Sequence, residues 1–142
     1  MKDREFQLTD VARETAFAVH RYLGPGHLPA VYENALVHRL RREGFSVEQQ
    51  KALTVHDEDG TVIGEYFADI VMEGILLLEI MVSPALSEEH YTPILGYLRA
   101  ARLEHGALLN FGAAKFQIRK LAVSESRHRS EGESGRLGRD LV

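Results

Sequence analysis

The chain has no cysteine, which excludes disulfides and thiolate metal sites and suits a reducing, cytoplasmic setting. It also lacks any apolar run approaching the roughly 18 residues needed to span a membrane. The longest run, residues 75–78, continues past Glu79 into Ile80, Met81 and Val82, a length that fits a buried strand. Residues 1–10 are charged and polar, without the apolar segment of a signal peptide. The 7 histidines include no HxxxH or HExxH pairing, so a zinc enzyme has no support. Neither a Gly-x-Ser-x-Gly elbow nor a P-loop is present. Positive charge is in deficit too. A formal net charge of -4 argues against general attraction to nucleic acid, although a local basic patch remains open.

What is present fits one domain. At 142 residues, 44% hydrophobic and 27% charged, the chain can build a single core. Thr9 and Asp10 read as caps of a first helix carrying Val11, Ala12, Thr15, Ala16, Ala18, Val19 and Tyr22, stopped by Gly24-Pro25-Gly26. A second helix carries Val31, Ala35, Leu36 and Leu40, gathers Arg39, Arg41 and Arg42 near its C-terminal end, and stops at Gly44. Residues 47–55 and 62–72 read as strands about a turn at 57–60, and Glu73-Gly74 turns the chain into a third strand, 75–82. That strand is apolar on both faces, so a central place in the sheet is expected.

A third helix spans about 87–103 with Ser87 as cap. Pro93 implies either a kink or a true start at Thr92. Residues 106–111 and 115–123 read as closing strands. The expected order αα-βββ-α-ββ gives an α/β (α+β) domain over residues 1–123, a mixed central sheet flanked by helices. Residues 124–142 form a polar tail with few apolar residues.

Several stretches carry a resemblance. Leu23-Gly24-Pro25-Gly26 before Val31-Tyr32-Glu33-Asn34-Ala35-Leu36, Gln50-Lys51 with Gly64-Glu65-Tyr66-Phe67-Ala68-Asp69, and Leu109-Asn110-Phe111-Gly112 with Lys115 resemble the GxxExxY family. That family is a small branch of the PD-(D/E)XK nuclease-like fold. The name-giving motif starts at Gly26 and keeps Tyr32, but Pro29 stands where the family has glutamate. The resemblance implies an active-site acid at Asp69 and an ExK triplet starting at Glu79, whose lysine position is Met81. Pro93 and Gly96 occupy positions where the family has glutamine and asparagine. The site is therefore expected to be degenerate.

Glu79 needs an explanation on chemical grounds alone. An ionised carboxylate in an apolar strand costs several kcal/mol unless it gains a partner, a proton or a metal. Asp69 lies in similar surroundings, and two carboxylates on neighbouring strands can hold Mg²⁺ or Mn²⁺, with Glu33 as a third candidate ligand. Met81 offers neither charge nor proton where a lysine would orient water, so catalysis would need another base such as Lys51. The blander account makes Asp69 and Glu79 relics, neutralised by protonation or by Lys51, Arg99 or Arg102, with Glu33 an exposed helical residue. His90 is expected as a partly exposed cap-region residue, and Arg39, Arg41 and Arg42 as a solvated helix end.

These features rank a catalytically inactive domain with a structural, self-assembly or interaction role first. A Mg/Mn-dependent nuclease acting on DNA or RNA comes second. Leu28, Pro29, Tyr91, Pro93 and Ile94 are the expected interface residues of a homo-oligomer.

Overall fold

A computed structural model describes residues 3–124. The expected tail, apart from Ser124, lies outside the described residues. The first helix, α1 (Arg4–Leu23), buries Leu8, Ala12, Ala16 and Val19 along one stripe. It starts earlier than the caps at Thr9 and Asp10 would allow. Thr9 is buried instead, with its hydroxyl donating to the Glu5 carbonyl at 2.7 Å. The stop is as expected: Gly24 takes φ 72°, a left-handed conformation that favours glycine, and Pro25 follows.

Helix α2 (Pro29–Arg42) begins with proline in its first turn, where the missing N–H breaks no bond. Its buried face is Tyr32, Glu33, Leu36, Val37 and Leu40. Strands β1 (Val47–His56), β2 (Val62–Met72) and β3 (Leu76–Met81) form an antiparallel meander. Glu73 at φ 57° and Gly74 at φ 67° make the tight turn between β2 and β3.

Helix α3 (Glu88–Ala101) then crosses to β4 (His105–Asn110), which pairs in parallel with β3, and β5 (Gln117–Ala122) closes the edge antiparallel to β4. A parallel pair demands such a crossover. Helix α3 starts at Glu88 and runs through Pro93, so the alternative start at Thr92 does not occur.

The sheet order is β1-β2-β3-β4-β5, which puts β3 at the centre. One face packs on α1 and α2 through Leu76, Leu78, Ile80, Ala107 and Leu109. The other packs on α3 through Leu77, Leu108 and Leu121. Strand alternation should place Val47 and Leu53, six apart, on one face, and likewise Ala68 and Ile70. Instead Val47 and Ile70 join the α1/α2 core, whereas Leu53 and Ala68 join the α3 core. The change of face falls at Gln50 on β1, which has φ 53°, and at Asp69 on β2. This irregularity builds the candidate site.

Candidate functional site

Strands β2 and β3 are in register at Met72 with Leu76, Val71 with Leu77 and Ile70 with Leu78. The next pair, Asp69 and Glu79, breaks the ladder. There the Asp69 N–H donates to Glu79 Oε2 at 2.8 Å, and the Ile80 N–H donates to Asp69 Oδ2 at 2.9 Å. Each carboxylate thus replaces a backbone carbonyl that the diverging strands no longer supply.

The other Asp69 oxygen accepts the Gln50 side-chain amide at 2.9 Å, and the same amide reaches Glu33 at 3.1 and 3.2 Å. Gln49 also donates to Glu33, at 2.8 Å. Glu33 is therefore not an exposed helical residue: it is 7% exposed and held against β1 by two glutamines. The left-handed backbone at Gln50 lets neighbouring glutamines converge on one carboxylate, an arrangement that regular alternation forbids.

Three carboxylates in one neighbourhood raise a charge problem. Burial first, then the negative charge of Asp69, push Glu79 up to about 8; the Asp69 N–H pulls the other way, and Glu33 adds to the rise. Among the described residues no lysine or arginine pairs with Asp69 or Glu79. Lys51 bonds Glu48 at 3.0 Å rather than either of these acids. Arg99 and Arg102 supply no neutralising contact, and the Arg99 Nε is buried without a partner. Of the two expected ways of neutralising Glu79, protonation is the one its surroundings favour.

The cleft over Glu79 has a volume of about 200 Å³ and is lined by Met81, Pro93, Ile94 and Leu108 together with the polar Glu89, His90 and Tyr97. The lysine and glutamine positions of the resemblance, Met81 and Pro93, thus meet in one apolar wall. Tyr97 packs on Tyr66 with ring centroids 4.9 Å apart, and burial with the nearby Glu79 and Asp69 charges raises its phenol. His90 lines the same cleft, and its Nδ1 accepts the Ser87 N–H at 3.1 Å, which leaves the ring proton on Nε2.

Other sequence candidates have structural partners. Arg41 donates to the Val47 carbonyl at 2.7 Å and Arg39 lies over Tyr22. Arg41 and Arg42 also line a separate cleft of about 530 Å³ with Asn34, His38 and Gln49. Tyr32 stacks on Phe111 at 4.7 Å, donates to the Gly24 carbonyl and accepts the His27 N–H, locking the glycine-proline turn to α2.

Asn110 is fully buried and makes four bonds. Its Oδ1 accepts the Ser83 and Gly112 N–H groups, and its Nδ2 donates to the Ser83 carbonyl and to Gln117. One expected interface residue, Ile94, needs correction. Ile94 is 3% exposed and belongs to the α3 core, and Tyr91 is half-buried beneath the Arg119 guanidinium at 4.7 Å. Leu28 and Pro29 are exposed at the start of α2, across the sheet from exposed Pro93.

Helices on both faces of a five-stranded mixed sheet, with acids where the central strands part, define a nuclease-type α/β domain. A model of the PD-(D/E)XK nuclease superfamily matches residues 6–121, and the chain belongs to that superfamily. A solved structure described as the crystal structure of SSO0001 is similar in fold, with a TM-score of 0.55 at 16% identity. The match covers 79% of this chain but only 59% of that one. The comparison with curated proteins gave no match. Among the described residues no helix is long and apolar enough to cross a membrane.

Proposed function

We propose that this chain is a GxxExxY-type member of the superfamily that has lost cleavage and serves as a self-assembling structural domain. The observation that carries the reading is the apolar wall of Met81 and Pro93 against a Glu79 that keeps its proton to about pH 8. A hard cation such as Mg²⁺ or Mn²⁺ needs ionised oxygens free to turn towards it. Here Asp69 Oδ2 and Glu79 Oε2 accept backbone N–H groups and Asp69 Oδ1 accepts Gln50, so three of the four oxygens already hold hydrogen bonds. An ion would have to compete with these bonds, and Met81 supplies no group to orient water.

An assembly role is supported by apolar side chains at the α1–α2 corner. Tyr22 is 79% exposed and Leu28 75%, with Pro29 and Val31 also exposed beside them. Burying Leu28 in a homo-oligomer would contribute about 1.5–3 kcal/mol per copy. Light scattering on the full chain tests this: a discrete oligomer is expected, reduced towards monomer by Leu28→Glu. A wild-type monomer at all practical concentrations would end the assembly reading.

The convergence of Glu33, Asp69 and Glu79 favours a second reading, a Mg/Mn-dependent nuclease whose carboxylates rearrange around the ion. It requires Mn²⁺ binding that disappears in Asp69→Asn and Glu79→Gln.

A further inference from the structure

At the opposite end of the central strands, Glu5, Glu104 and His105 bring two carboxylate oxygens and an imidazole nitrogen within 4.8 Å of one another. Glu5 lies in the first turn of α1, Glu104 immediately precedes β4 and His105 opens it. All three are half-buried. His105 shares a strand face with Ala107 and Leu109, which pack towards α1 and α2, whereas Glu79 shares the α3 face with Leu77. Leu76 pairs with His105 and Glu79 with Leu108, so the two clusters are also offset by three residues, about 10 Å along the strands. This constellation is thus separate from the carboxylates of the candidate nuclease site.

We propose that Glu5, Glu104 and His105 form a binding site for a divalent transition-metal ion, with Zn²⁺ the best match. One imidazole with two carboxylates is a borderline donor set, which suits Zn²⁺, Co²⁺ or Ni²⁺ better than the all-oxygen preference of Mg²⁺ or Ca²⁺. His105 Nε2 is 3.8 Å from Glu5 Oε2, beyond hydrogen-bond reach. Bonds of 2.0–2.2 Å to a tetrahedral ion separate neighbouring ligand atoms by about 3.3–3.6 Å, so binding needs the groups to close by up to about 1.5 Å.

A second observation points the same way. The His105 ring is fixed by an edge contact with Phe6 at 5.7 Å. The strand start is fixed by the Val123 N–H on the Glu104 carbonyl at 2.9 Å and by pairing of His105 with Ala122. Yet among the described residues the three ligand groups share no hydrogen bond with one another, and no lysine or arginine pairs with either carboxylate. A cation there would neutralise both acids and tie the first turn of α1 to β4, with a fourth position left for water.

Calorimetric titration of the full chain with Zn²⁺, repeated with Co²⁺ and its visible absorption, tests the site. One saturable equivalent is expected, lost in His105→Ala and weakened about tenfold in Glu5→Gln. Because Glu5 sits on an accessible first turn, Glu5→Gln keeps the test valid should His105→Ala misfold. Binding should persist in the Asp69→Asn, Glu79→Gln double variant. No saturable binding in the wild type, full binding in both single variants, or loss in the double variant would overturn the proposal.

Discussion

Glu79 ties stability to pH through a sign that follows from its surroundings. Its folded pKa of about 8 lies above the ordinary 4.5, so the folded chain holds a proton that the unfolded chain has released. The resulting stability is fully present below about pH 4.5, falls as pH rises towards 8, and levels off above that. The loss is on the order of a few kcal/mol. Urea denaturation at stepped pH should show this fall in the wild type and lack it in Glu79→Gln, which keeps an acceptor for the Asp69 N–H. Equal slopes in the two proteins would mean that Glu79 titrates normally.

Asn110 is the other residue with a large expected effect. Asn110→Ala strands buried donors and acceptors at Ser83, Gly112 and Gln117, and should cost about 2–4 kcal/mol in the same measurement.

Between elements, the end of β4 and the loop after β3 are packed too closely for a side chain. A Cβ at Gly112 would collide with the Ser83 nitrogen and lie 2.8 Å from its carbonyl oxygen. Gly112→Ala should therefore destabilise by about 1–3 kcal/mol, read as a lowered melting temperature. This contact explains part of the Asn-Phe-Gly stretch as architecture rather than chemistry.

Element order was legible because β3 is apolar on both faces and the turns carry glycine or proline at Gly24, Gly60 and Gly74. The start of α1 was not, because Thr9 resembles a cap in sequence and only tertiary burial shows it mid-helix. The burial of Glu33 depends on Gln50 leaving the strand conformation, which strand periodicity cannot reveal. Ile94 looked exposed beside Pro93, yet helical geometry turns it onto Leu77 and Leu108. Asp69 and Glu79 were legible as a pair from their apolar context; their exchange of backbone hydrogen bonds was not, since it needs the two strands to part.

At the scale of the whole molecule, the proposed reading is of a superfamily fold that keeps acids at Asp69 and Glu79 beside a wall containing Met81 and Pro93. The protein would then be held together by residues that once resembled chemistry, with Tyr32, Asn110 and Gly112 fastening turns and Asp69 and Glu79 fastening strands. Its exposed α1–α2 corner would carry the interaction role, so Leu28→Glu should lower native mass and remove the dependence of melting temperature on protein concentration that an oligomer shows. The most direct test of the account is a cleavage assay on single- and double-stranded DNA and on RNA, with Mg²⁺ or Mn²⁺, from pH 7 to 9. The account predicts no cleavage above that of the Asp69→Asn, Glu79→Gln double variant. EDTA-sensitive cleavage by the wild type that the double variant lacks would contradict it.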